Sequence, residues 1–271
     1  MSKSSHTDEG GPRERRVTLS ATGPVAARVA TRSGDITVSA TSGTEVVVTL
    51  RIDHGAPESL LKDTQVEFDE SHQTLRVTTP AASGTGGFPL RALKHGLFST
   101  GTRDVDVSLS LPEGSDVEAD TTSGDCVIRG VVRDVTLHTV SGDAVVDDAA
   151  EVDSHTASGD LVVGRVRAAF KARSASGDVV VREGASQTKV ESASGDVRLS
   201  VPGGSTEVST ASGDVQVNAA GAGTVVARSA SGDVRVAVTP GLEIDVEARS
   251  VSGDLTSAFD LDRDGDGGSG D

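Results

Sequence analysis

The tripeptide Ser-Gly-Asp begins at Ser33, Ser123, Ser141, Ser158, Ser176, Ser194, Ser212, Ser231 and Ser252. From Ser123 onward the steps are 18, 17, 18, 18, 18, 19 and 21 residues. A turn signal repeated at so constant a pitch marks a repeat architecture, in which each unit buries its apolar face only by stacking on its neighbours. Gly supplies backbone angles that a side chain forbids, and Ser and Asp bond nearby amides, so each copy predicts the same tight corner.

The residues around each corner set the unit. One and three places after the Asp stand Cys126 and Ile128, Ala144 and Val146, Leu161 and Val163, and on to Val234 and Val236. Eight and six places before it stand Val135 and Leu137, Val152 and Ser154, Phe170 and Ala172, and on to Val246 and Ala248. Both series alternate with mostly polar residues, the period of a strand with one buried face. Each unit thus holds two short strands and two turns. A lone pair of strands is unstable, but stacked coils pair in parallel about 4.8 Å apart. Register is held because a one-residue slip would turn the core outward.

The predicted fold is all-β: a single parallel β-solenoid, a flattened two-sheet roll of about 18 residues per coil, with a less regular N-terminal β region. With no Trp or Tyr and only five Phe, its core must be thin and built from Val, Ala and Leu. Residues 1–15 read as a disordered tail, 16–259 as the solenoid domain and 260–271 as an acidic flexible tail. Within the domain, 16–120 is less regular and 121–259 forms the regular coils. The Gly-rich stretch 82–103, with its apolar middle, reads as a lid on the roll, with a docking segment as the alternative. Residues 56–63 read as a short helix, and QVEFDE and TLRVTTP as strands.

The corners predict two ladders. One is structural: Gly124 and Asp125, Gly142 and Asp143, Gly159 and Asp160, Gly177 and Asp178, Gly195 and Asp196, Gly213 and Asp214, Gly232 and Asp233, and Gly253 and Asp254. Stacked carboxylates repel, so calcium is one reading of this ladder, but the signal lies on one side of the coil and lacks a double Gly. Backbone-bonded corner carboxylates are the favoured reading. The other ladder, Thr121, Thr139, Thr156, Ser174, Ser192, Thr210, Ser229 and Ser250, points inward and predicts hydroxyls bonded to one another along the axis.

Two more metal candidates arise. Asp260, Asp262, Asp264, Asp266 and Asp271 fall at calcium-loop spacing, although the twelfth position is Asp, not Glu; a solvated acidic tail is favoured. Asp120, His138 and His155 share an outward position on successive coils. No other cofactor is expected.

No catalytic residues are assigned. Cys126 takes an inward strand position and reads as a buried thiol; the Ser-rich corners lack a paired His, and no phosphate-binding or dinucleotide fingerprint occurs. The net charge of −16 would repel a polyanion, so nucleic acid is excluded as a partner. No run of about 18 apolar residues and no secretory signal stands in the sequence, which predicts a cytoplasmic protein without membrane insertion.

From residues 17 to 258 the chain resembles the bacterial "putative adhesin" family of β-strand-repeat proteins of unknown function. The resemblance is carried by SLLKDTQVEFDESHQTLRV, then VDVSLSLPEGSDVEADTTSGD, then the serial Ser-Gly-Asp coils. It implies a β-solenoid and no catalysis. The expected function is a non-enzymatic structural or interaction scaffold that meets a protein partner or itself through its ends or faces. The alternatives are an exported surface adhesin that binds carbohydrate or protein, and a β-helix carbohydrate-active enzyme. Open ends predict end-to-end filaments, which the charge opposes.

Overall fold

The computed structural model describes residues 7–54, 56–80 and 104–257. The N-terminal elements are β1 (Thr7–Gly11), β2 (Glu14–Ser20), β3 (Ala26–Ser33), β4 (Ile36–Thr41), β5 (Glu45–Ile52), α1 (Ser59–Asp63), β6 (Gln65–Asp69), β7 (Thr74–Thr78), β8 (Val105–Pro112) and β9 (Asp116–Ser123). Next come three long strands, β10 (Cys126–Ser141), β11 (Ala144–Ser158) and β12 (Leu161–Ser176). Shorter strands follow: β13 (Val179–Glu183), β14 (Gln187–Ser194), β15 (Val197–Val201), β16 (Gly204–Ser212) and β17 (Val215–Ala219). The series closes with β18 (Gly223–Ser231), β19 (Val234–Val238), β20 (Ile244–Ser252) and β21 (Leu255–Ser257).

The regular region is a parallel β-solenoid. Strands before each corner form a first sheet, with Ser123, Ser141, Ser158 and Ser176 each directly opposite the next. Strands after each corner form a second sheet, with Val179, Val197, Val215, Val234 and Leu255 in one row. The inward residues of both sheets meet in one core of Val, Leu, Ala and Ile, with Phe170 its largest fully buried side chain. Alternation thus sorts the side chains as the sequence predicts, because each strand has one face on the core.

The far side of the coil differs from expectation. In β10, β11 and β12 there is no second turn: the strand bends and runs on from the second sheet into the first. The ladder shifts register at the bend, while Val132, Ala149 and Val166 stay buried there. A buried apolar residue marks the bend in these coils, and Ala185 marks it in the next one, where the strand breaks after Glu183. Later coils do break, as at Pro202 and Gly203 between β15 and β16.

The N-terminal region is an excursion from the solenoid. Ser33 lies opposite Ser123, and β4 pairs with the start of β10, although the two corners are 90 residues apart in sequence. Between them β7 and β8 add a parallel layer beneath β3 and β4. Antiparallel strands then extend that end: β6 on β7, β5 on β8, β2 on β5 and β1 on β2. The outermost pair corrects the expected tail over 1–15. Thr7–Gly11 is a strand, joined to β2 by a two-residue turn at Pro12 and Arg13. Its residues carry no hydrophobic alternation; main-chain pairing with the edge of β2 specifies it.

Candidate functional site

Each corner Gly takes a left-handed φ, from Gly34 at 112° to Gly253 at 152°. The corners stack so closely that a Cβ on Gly142 would lie 2.2 Å from the carbonyl oxygen of Gly124. No side chain fits between them. The Asp that follows ties one coil to the next. Asp143 N–H donates to Asp125 Oδ1 at 2.9 Å, Asp160 N–H to Asp143 Oδ1 at 2.9 Å, and Asp178 N–H to Asp160 Oδ1 at 2.8 Å. The series runs on through Asp196, Asp214 and Asp233 to Asp254. The Asp ladder is therefore a row of amide acceptors, and Arg198 and Arg235 neutralise part of its outer charge.

The ladder also extends further toward the N-terminus than the repeat. Asp125 N–H donates to Asp35, and Asp35 N–H donates to Asp106 Oδ1 at 2.9 Å. Asp106 has no Ser-Gly before it, so the motif missed it; its one sequence signal is that the alternating run Val105–Asp106–Val107 follows as β8. Burial holds the Asp106 carboxyl above the ordinary carboxylate value, with Asp35, Asp53 and Asp104 adding repulsion. An acid whose folded value is raised favours folding when protonated, and that contribution is lost as pH rises through the folded value. Asp106→Asn keeps an acceptor for Asp35 and removes the charge. Its melting temperature is expected to exceed that of the wild type at pH 7 and to converge with it as the pH falls through the Asp106 titration; thermal melts across pH check this.

Elsewhere in the ladder the carboxylate matters as an acceptor. Asp160→Ala should lower stability by about 1 kcal/mol, the worth of one hydrogen bond, whereas Asp160→Asn should cost far less. Urea unfolding of the pair separates the two effects.

The hydroxyl ladder is buried beside the corner except at Thr156 and Ser250, which are half-buried, and Thr31 is an added first rung. Its bonding differs from the expected side-chain chain. Only Thr31 donates to another rung, to Thr121 Oγ1 at 3.2 Å. Ser192 and Thr210 donate to carbonyls of their own corner, and Ser229 and Ser250 to the Gly carbonyl one coil below. Rungs about 4.8 Å apart lie beyond hydroxyl bonding distance unless they lean together, and the corner carbonyls are nearer. Thr139, Thr156 and Ser174 have no hydrogen-bond partner among the described residues.

Outside this ladder, the first sheet carries rows of charge. Arg28 pairs with Glu118, Lys171 with Asp153 at 3.1 Å, Arg173 with Glu191 at 2.8 Å, and Lys189 with Glu207 at 3.1 Å. Near the C-terminal end Arg228 and Arg249 each lie 3.0 Å from Glu247 and hold its carboxyl below the usual carboxylate range. Asp120, His138 and His155 do fall in one row. The two imidazoles stack with centroids 5.4 Å apart; His138 faces Asp120 at 3.1 Å, but His155 turns to Asp153 at 3.2 Å. The three do not converge on a point, and no group of three or more metal-ligating residues is found among the described residues.

A shallow groove of about 660 Å³ runs beside the corner at these coils. Asp120, His138, His155 and Arg173 form one wall, and Val140, Ala157 and Ala175 form an apolar lip. Val140 is 54% exposed. The sequence reading overlooked this lip: it is the residue between each ladder hydroxyl and the next Ser-Gly-Asp, a position the corner motif leaves open. The groove passes on along Glu191, Ala193, Ser209 and Ala211 in the following coils.

Cys126 is buried, and that burial pushes its thiol up to about 12, so it is a core side chain rather than a nucleophile. The candidates Asp260, Asp262, Asp264, Asp266 and Asp271, and the segment 82–103, lie outside the described residues. No helix among the described residues is long and apolar enough to cross a membrane.

Three solved structures share this architecture. A putative adhesin from Parabacteroides distasonis ATCC 8503 is 12% identical with a TM-score of 0.53, covering 90% of this chain and 97% of its own. A putative adhesin from Parabacteroides merdae ATCC 43184 is also 12% identical, with a TM-score of 0.50, covering 91% and 98%. A putative lipid binding protein from P. distasonis ATCC 8503 is 12% identical with a TM-score of 0.51, covering 91% and 98%. At this identity the likeness is one of fold. No curated protein matches the chain in sequence. The family model described as Toastrack DUF4097 matches residues 52–268.

Proposed function

This chain belongs to the Toastrack DUF4097 family, and from that premise we propose that it is a non-enzymatic, adhesin-like scaffold that holds a protein partner along the outer face of its first sheet. One observation carries the reading: the groove beside the corner repeats its wall and lip from coil to coil. Such a surface suits an extended segment that crosses several coils, since each coil offers an apolar lip and a polar wall at the same spacing. The neighbours described as adhesins agree with a binding role. Calcium has no part in this proposal, because Oδ1 of each ladder Asp from Asp125 to Asp233 already accepts a main-chain amide.

The test is site-specific photo-crosslinking in cells that make the protein. A benzoylphenylalanine at Ala157, on the lip, is compared with one at Gln216, exposed on the second sheet. Adducts of defined mass from position 157 and none from 216 support the reading. Equal adducts from both, or none from either, reject the groove. Release of reducing sugar from polysaccharide by the purified chain would reject the non-enzymatic part.

A further inference from the structure

The two ends of the solenoid are built differently. At the N-terminal end antiparallel strands and α1 extend the roll beyond the first layer. At the C-terminal end β20 bonds only to β18, and β21 only to β19, among the described strands. Among the described residues each has one edge of main-chain donors and acceptors without a partner strand. The core residues of this last coil are also less covered than those below. Val246 and Ala248 are half-buried and Leu255 is 48% exposed, whereas Val225, Ala227 and Val234, one coil below, are fully buried.

We propose that this end is an interface for a second copy of the same chain, with β20 pairing antiparallel to its own equivalent about a two-fold axis at Ala248. Alternation places Asp245, Glu247 and Arg249 on the outer face of β20, and Val246, Ala248 and Ser250 inward. In this register Glu247 of each copy faces Arg249 of the other, so the Glu247–Arg249 pair that each copy already makes at 3.0 Å joins its equivalent in one cluster of alternating charge across the join. Inward, Ala248 meets Ala248 and Val246 meets Ser250, which continues the core from one copy into the other. A two-fold contact uses the same patch twice and closes at two copies.

The alternative, head-to-tail stacking, brings β20 against β6, the edge strand of the first sheet at the other end. The outer row of β6 is Gln65, Glu67 and Asp69. The two facing strands would then set four carboxylates against the one guanidinium of Arg249, whereas the two-fold join sets two guanidinium groups against four carboxylates. Like charges opposite one another weaken strand pairing, so the ends do not match and filament growth is disfavoured. The dimer is independent of the partner groove: that groove lies beside the corner on the side of the roll, and the join lies at its end.

Sedimentation velocity of the full chain at about 0.15 M salt, over roughly 1–200 µM, tests this. The expected result is a mass that rises from one copy to two and stops. Arg249→Glu replaces both attractive pairs by repulsive ones and should weaken association at least about fivefold. The exchange Glu247→Arg with Arg249→Glu restores opposite charges across the join and should recover part of the association, since the new guanidinium lies beside Arg228, while circular dichroism confirms that both variants keep the sheet. A chain that stays single throughout overturns the proposal, as does mass that grows past two copies or a dimer indifferent to Arg249→Glu.

Discussion

Gly177→Ala is expected to lose about 2–5 kcal/mol of stability, from a left-handed residue given a side chain and from the overpacking that follows. Gly177 has φ +121°, and a Cβ there would lie 2.1 Å from the carbonyl oxygen of Gly159 and 2.7 Å from its carbon. The obstacle is main chain, not a flexible side chain. Gly159 has little room to retreat, because its backbone is stacked just as closely on that of Gly142. The strain must therefore open the gap between two coils and break the hydrogen bond that Asp178 N–H donates to Asp160 Oδ1 beside it. Gly23→Ala is the control, since nothing lies within 4 Å of its added carbon. Urea unfolding should show a large drop for the first and little change for the second. In a stacked array each coil contacts mainly its neighbours, so hydrogen exchange should accelerate first around 159–196. An unchanged midpoint for Gly177→Ala would mean that the coils are not held at this separation.

Phe170→Ala should cost about 3–5 kcal/mol. Phe170 is 1% exposed and fills the place that Val152 holds one coil below and Thr188 one coil above. Its ring spans a core otherwise made of smaller side chains, so truncation leaves a cavity that Val and Ala neighbours are too short to close. Thr188 cannot help, because its hydroxyl is committed to the Ala185 carbonyl at 3.1 Å. Phe170→Leu should recover most of the loss by refilling the volume. Thermal and urea unfolding of the two variants check the ordering. Equal stability of the alanine and leucine variants would show that the core relaxes around the gap.

Much of the regular solenoid was legible because its information is local. A strand with one face on the core must alternate, and a tight corner must carry Gly, so Cys126, Ile128, Val135 and Leu137 could be assigned inward positions without any knowledge of what they touch. The corner Asp ladder could be drawn for the same reason. The candidate groove was harder to see. Its wall residues were visible as a shared row, but the lip at Val140, Ala157 and Ala175 has no fixed chemistry in the motif. Which way His155 turns, to Asp153 rather than Asp120, depends on side-chain rotation that spacing does not encode.

By itself the sequence determined the pitch, the inward residues and the corner, since these follow from periods of 2 and about 18 residues that any stacked coil must respect. Only the tertiary structure decided what lies next to what across a gap. Gly34 sits beneath Gly124 although 90 residues separate Thr31 from Thr121 in the same pair of coils. Closing a longer loop costs little more than closing a short one, so the length of the excursion carries no record of where it returns. Asp106 became a corner acceptor, and Thr7–Gly11 a strand, because an edge offered main-chain partners. Those partners are a property of the assembled sheet, and no residue type announces them.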